Sequence, residues 1–208
     1  MQSPKKTNGF TLVELLVALS VSSIVLAAVA TLGYAFGRGY ESMSDSSGVQ
    51  ARVRYASMRI SELIKHSRLV CYADSDGLVL WRADKNGDGK INIGELECLD
   101  RGEDGTSVRT CSFSSGGDAE VKLNAIGSVS MGWWMAYGAS ANYTVLAANC
   151  RGVQFGYDAL APESRFVSVS FELMDNGGYG QYEVSACLRG SASNLLTDGT
   201  GVIASDDD

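Results

Sequence analysis

The densest chemistry in this 208-residue chain lies in twelve consecutive positions, Asp84-Lys85-Asn86-Gly87-Asp88-Gly89-Lys90-Ile91-Asn92-Ile93-Gly94-Glu95. Three carboxylates, two side-chain amides and three glycines share this short segment. Carboxylate and amide oxygens on a turn-forming backbone suit a hard cation, which takes about six to eight oxygens at flexible distances. A second isolated group is Glu14, the one charged residue in the apolar run from Phe10 to Phe36. A carboxylate at the centre of a bilayer costs roughly 2.5–3.5 kcal/mol on insertion scales, so this one requires a partner or a task. Five cysteines (Cys71, Cys98, Cys111, Cys150 and Cys187) and a single histidine, His66, complete the set of reactive side chains.

The twelve residues resemble the EF-hand calcium loop almost position by position. The resemblance implies oxygen ligands from Asp84, Asn86 and Asp88, a sharp turn at Gly89 and the backbone carbonyl of Lys90. It also implies an often water-mediated contact at Asn92 and bidentate closure by Glu95. Ile91 would anchor the loop to the body. The flanks depart from an EF-hand, because GLVLWR before the loop and LECLD after it read as strands. With one loop and no helical frame, the expected cofactor is a structural Ca²⁺ that staples a long β connection, rather than a regulatory switch. The alternative is an Asp/Asn/Gly-rich turn that holds no metal.

Ahead of Phe10 stands a short basic leader, MQSPKKTNG, with Lys5, Lys6 and a terminal Gly9. The run behind it exceeds the roughly 20 helical residues that cross a hydrocarbon core. It is too long for an ordinary signal peptide, and an ordinary anchor leaves Glu14 unexplained. Gly9, Phe10 and Glu14 together resemble the class III signal of type IV pilins and type II secretion pseudopilins. The resemblance implies cleavage by a prepilin peptidase between Gly9 and Phe10, methylation of the new Phe10 amine, and an assembly role for Glu14. The amine and the Glu14 carboxylate, one turn apart, would compensate each other within a subunit or between neighbours. The implied partners are the peptidase, other major and minor pilin or pseudopilin subunits, and the bacterial inner membrane. The chain would cross that membrane once, with its ectodomain in the periplasm or at the cell surface. A looser likeness extends to J-type pseudopilins and PilW-like minor pilins.

The resemblance, together with the periodicity below, implies an α+β architecture: a long N-terminal helix, membrane-spanning then amphipathic, packed on an antiparallel β-sheet domain. The expected boundaries are leader 1–9, transmembrane helix 10–36, helix continuation 37–70, β ectodomain 71–190 with the loop at 84–95, and an acidic tail 191–208. Gly37, Gly39 and the serines up to Gly48 predict a kink, or a short break capped by Ser46 or Ser47. Val49, Val53, Ala56, Ile60 and Leu63 then recur at spacings of four and three, one apolar stripe opposite Arg52, Arg59, Glu62 and His66. Past Cys71 the period becomes two. Strands are expected at 77–82, 95–100, 143–147 and 153–158, and in a hairpin of 165–173 and 181–188 around Asp175-Asn176-Gly177-Gly178. Residues 121–140 show no decisive pattern.

The cysteines lie on the exported side, where disulfides persist. Cys98 with Cys111 and Cys150 with Cys187 are the candidate pairs, and sequence alone cannot fix connectivity. The net charge of −7 becomes more acidic when Lys5 and Lys6 leave with the leader, which argues against phosphate-backbone binding to nucleic acid. No GxSxG, HExxH, P-loop or dinucleotide fingerprint is present, and no enzyme activity is expected. The leading function is that of a structural minor pilin or pseudopilin in an inner-membrane-anchored filament, for type II secretion or type IV pilus biogenesis. The alternative is a calcium-stiffened adhesive or uptake module at a pilus tip, with Trp133-Trp134 between Met131, Met135 and Tyr137 as its contact patch. Such a cluster is more often core or a protein contact.

Overall fold

The apolar stripe on Val49–Leu63 is realised as helix. In the structure, a computed structural model, residues 11–175, 178–190, 196–197 and 202–203 are described. They divide into two compact units, Met1–Ser46 and Ser47–Asp208. Helix α1 is assigned over Leu12–Lys65 as one element of 54 residues. The break expected between Gly37 and Gly48 is not found, and Ser46 and Ser47 sit inside the helix rather than capping a new one. A glycine costs about 1 kcal/mol against alanine in a helix interior, which weakens an established helix without ending it. The helix stops at Lys65, short of the expected Val70. The Ser67 hydroxyl donates to the Leu63 carbonyl at 2.6 Å, and Leu69 and Val70 leave to pair as strand with Trp81 and Leu80.

Within the second unit two antiparallel sheets form. Strands β1 (Leu69–Ala73), β2 (Gly77–Trp81), β3 (Leu96–Arg101), β4 (Ser107–Ser114) and β5 (Ser140–Ala148) make a five-stranded meander in chain order. Strands β6 (Cys150–Tyr157), β7 (Phe166–Asp175) and β8 (Gly178–Cys187) make a three-stranded one. The expected final hairpin is present: Val167, Val169, Phe171 and Leu173 are buried on β7, as are Val184 and Ala186 on β8. Asp175 pairs with Gly178 across the turn, whose Asn176 and Gly177 lie outside the described residues. In the tail, expected to be loose, Leu196–Thr197 pairs antiparallel with Val202–Ile203.

Two cores result. In the first, Val49, Ala56, Ile60, Leu63 and Ile64 of the helix share a cluster with Leu78, Leu80, Leu99 and Val108 of the larger sheet. The inner face of β7 and β8 joins the same cluster. Ile60 is fully buried, worth about 1.5–3 kcal/mol for a side chain of this size. The second core lies on the opposite face of the five-stranded sheet. There Leu69, Val79, Trp81, Cys98, Cys111 and Phe113 meet Ile91, Ile93, Val121, Ile126, Val129 and Trp134. The ambiguous stretch 121–140 is thus a cover built of single 3₁₀ turns. Trp134 is buried and packs with Phe113 and Trp133, and Trp133 in turn meets Tyr137, whereas Met131 (79% exposed) and Met135 (72% exposed) project to the surface.

Candidate functional site

The N-terminal element begins with a local device. The Glu14 backbone N–H donates to the Thr11 hydroxyl at 3.3 Å, and that hydroxyl faces the Glu14 carboxylate at 3.5 Å. Thr11 therefore caps the helix through its hydroxyl, and Glu14 accepts from that same hydroxyl; an acid in the first turn also suits the positive end of the helix dipole. Sequence reasoning missed the Thr11 cap, although a threonine just before a helix start is a common signal for one. Gly9 and Phe10 lie outside the described residues. Leu12–Arg38 is apolar enough to cross a membrane, with mean hydropathy 2.5 over its best window and none of that window buried. Three of its hydroxyls donate within the helix. Ser20 donates to the Leu16 carbonyl, Ser23 to Ser20 and Thr31 to Ala27, so they carry no open donor into an apolar phase.

The loop from Asp84 to Glu95 connects β2 to β3, and its residues organise one another. Asp84 accepts the backbone N–H groups of Gly87, Asp88 and Gly89, at 2.7, 3.1 and 2.8 Å. Gly87 and Gly89 have φ of +74° and +69°, a conformation that favours glycine. Asp88 accepts from the Lys90 N–H and from the side-chain amides of Asn86 and Asn92. These bonds, the one from Asn92 foremost, hold its carboxyl below the ordinary aspartate range. Lys90 reaches away to Glu120 at 2.7 Å, leaving its carbonyl as its contribution to the loop.

Glu95 is turned inward at the end of a 3₁₀ turn, Ile93–Glu95, so the strand expected to start there begins one residue later, at Leu96. It is buried, and its oxygens accept from the Trp81 indole N–H at 3.0 Å and the Lys85 N–H at 2.5 Å. Ile91 and Ile93 anchor the loop in the second core. Asn92 is 1% exposed, and its Oδ1 has no hydrogen-bond partner. Such an orphaned oxygen is uncommon in a packed interior, and it sits on an amide whose nitrogen already contacts Asp88. Among the described residues no three His, Cys, Asp or Glu side chains converge into a metal cluster, and Asp84, Asp88 and Glu95 each face separate donors. The donor set is nevertheless all oxygen, and with the spare Asn92 acceptor it fits a hard cation.

A buried ion pair stands at the far end of the same sheet face. Arg109 donates to both Asp100 oxygens at 3.0–3.1 Å and stacks on the Tyr143 ring, 4.1 Å from its centroid. Burial pushes the Asp100 carboxyl up despite Arg109. Asp76, Glu103, Ser128 and Ser130 join the pair around a cavity of about 180 Å³. Nothing in the sequence pattern singled it out.

All five cysteines are free thiols in the structure. Cys98 and Cys111 are directly opposed on β3 and β4. The expected pairing of Cys150 with Cys187 is contradicted. Cys150 faces Leu173 at one end of β7, and Cys187 faces Phe166 at the other. Those rows are separated by roughly 23 Å of strand, against a Cα limit near 7 Å for a disulfide. His66 is exposed at the helix end, its Nδ1 2.9 Å from the Glu62 carbonyl.

Residues 4–30 match the family described as the prokaryotic N-terminal methylation motif. No curated protein and no solved structure matches the chain. The matched segment contains Gly9, Phe10 and Glu14, and runs into the apolar helix. It supports a type IV pilin-like or pseudopilin-like protein, processed by a prepilin peptidase, assembled with other pilin subunits and anchored by that helix. It points to a structural protein rather than an enzyme.

Proposed function

We propose that the chain is a minor pilin or minor pseudopilin, a structural subunit of an inner-membrane-anchored filament for type II secretion or type IV pilus biogenesis. The observation that carries the reading is the methylation motif at residues 4–30, continuous with an exposed apolar span and followed by a separate β-rich unit. After removal of the leader, the span inserts in the bilayer and its helix packs against those of neighbouring subunits, while the β unit stands in the periplasm. We further propose that Asp84, Asn86, Asp88, Asn92, Glu95 and the Lys90 carbonyl hold Ca²⁺. Bound there, the ion supplies positive charge that gathers the carboxylates and pins the β2–β3 connection against the second core.

Glu14 distinguishes two ways in which the N-terminus can work. Glu14→Gln retains a polar side chain beside Thr11 but removes the charge, whereas Glu14→Val removes both. If the carboxylate neutralises a terminal amine, both variants insert in the membrane and both fail to enter filaments. Membrane fractionation followed by cross-linking to neighbouring subunits measures this. Normal incorporation of Glu14→Gln would leave the contact with the Thr11 hydroxyl standing and remove the charge-pairing role.

A tip-binding reading has one observation in its favour, the exposure of Met131 and Met135 beside the half-buried Trp133. Large exposed apolar side chains grouped on one surface suit a protein contact. Co-purification of the processed chain with other minor subunits, lost on changing Met131 and Met135 to Ser, would place that contact inside the filament.

A further inference from the structure

We propose that Cys98 and Cys111 are a disulfide site, joining β3 to β4 in the exported protein and leaving Cys71, Cys150 and Cys187 as thiols. The register makes Cys98 and Cys111 Cα partners in an antiparallel pair. Directly opposed residues in such a ladder have Cα atoms about 4.5–5.5 Å apart and side chains on one face. That separation lies within the roughly 4.4–6.8 Å of disulfides. Both residues are fully buried in the second core, and the Cys98 thiol is in hydrogen-bonding contact with Cys111. The alternatives are out of reach. Cys71 is on β1, two strands from Cys98 across β2, or about 9–10 Å. Cys150 and Cys187 lie on the other sheet, at opposite ends of it.

Bridging removes one hydrogen from each thiol and forms one S–S bond. The two electrons and two protons pass to the disulfide of a thiol–disulfide oxidoreductase, which leaves as a dithiol. The exchange proceeds through a mixed disulfide, so one sulfur must be reachable while it occurs. In the folded unit neither is, and burial also pushes the Cys98 thiol well above its ordinary range, away from the reactive thiolate. Oxidation therefore precedes closure of the 121–139 cover over the sheet, and the finished bond resists reduction until the unit opens. Because β3 follows directly from Glu95, the bridge also fixes the strand that carries the end of the loop.

The inference rests on the reading that the β unit is exported, and the test separates the two. The full chain is produced in cells carrying the prepilin peptidase, alkylated in denaturant, and digested without reductant. The expected result is one linked pair, Cys98 with Cys111, and alkyl groups on Cys71, Cys150 and Cys187. A parallel sample, reduced and then refolded in detergent in a glutathione redox buffer, reads the pairing independently of compartment. A bridge there but not in cells supports the pairing and overturns the exported location. Free thiols in both samples, or any other pairing, overturn the disulfide. Reduction under denaturing conditions followed by refolding without oxidant lowers Tm by about 6–12 °C, the effect of opening a loop of this length in a unit of this size. Double replacement by serine produces a similar fall.

Discussion

Chelating divalent cations lowers the melting temperature of the detergent-solubilised chain by about 5–10 °C relative to a sample holding calcium at a hundredfold excess over its dissociation constant. A ligand bound only by the native state adds RT ln(1 + [L]/Kd), about 2.7 kcal/mol at that excess, and each kcal/mol moves Tm by roughly 2–4 °C in a unit of this size. Magnesium restores the loss poorly, because it demands a tighter octahedral shell of about 2.0–2.1 Å and gives up water reluctantly. The choice of variant matters. Glu95→Ala deprives the Trp81 indole and the Lys85 N–H of their acceptor, and Asp84→Ala frees three loop amides, so either destabilises with or without metal. Asp88→Asn is the cleaner change, since Asp88 is exposed and the Asn86 and Asn92 amides that donate to it can turn over. It should leave the metal-free Tm within a degree or two and abolish the calcium response. An unchanged melting curve on chelation, together with a flat binding isotherm, would reduce the loop to a self-contained turn.

Arg109→Met should be the most damaging single substitution at a charged residue. It leaves Asp100, whose side chain is 6% exposed, without its bidentate partner. Removing one member of a buried pair costs about 3–5 kcal/mol, or a fall in Tm of roughly 6–20 °C in a unit of this size. The pH dependence has a definite sign. The Asp100 carboxyl is already raised in the folded chain, and losing Arg109 raises it further, so its charged form opposes folding. The penalty is full at neutral pH, fades as the pH falls through the raised value of the folded chain, and has gone below the unfolded value near 3.8. A companion double variant, Arg109→Met with Asp100→Leu, should recover much of the stability, because both charges then leave together. A single variant as stable as the parent across this pH range would mean that the pair is solvated in practice.

The parts that were legible in the sequence are those whose pattern answers to one environment. The helix stripe from Val49 to Leu63 and the alternation on β7 and β8 each face a single core, so their period is clean. Strand β4 escaped notice because only Val108, Cys111 and Phe113 of its eight residues are apolar, with Val108 entering the first core and the other two the second, so no run or alternation stands out. The strand β1 was absorbed into the helix for a related reason, since Leu69 and Val70 continue the apolar stripe and only pairing with Trp81 and Leu80 reveals them as strand. The cover over residues 121–139 has no period at all, because single 3₁₀ turns bury isolated side chains such as Val129 and Trp134.

Spacing picks out the loop residues one by one as candidate ligands, and the structure adds what spacing cannot encode. The inward turn of Glu95 onto Trp81 depends on a neighbouring strand, and the spare oxygen of Asn92 depends on burial by the whole second core. Cysteine pairing shows the same limit. Cys98 and Cys111 meet because two strands fall into one register, while Cys150 and Cys187 are kept apart by the length of β7.

The central claim, a filament subunit released by cleavage at Gly9, is tested most directly by the intact mass of the chain extracted from membranes of cells that carry a prepilin peptidase. The expected species begins at Phe10 and carries one methyl group on its terminal amine, and replacing Gly9 with a bulky or charged residue leaves the full-length precursor instead. A wild-type chain that still begins at Met1 in those cells would contradict the account.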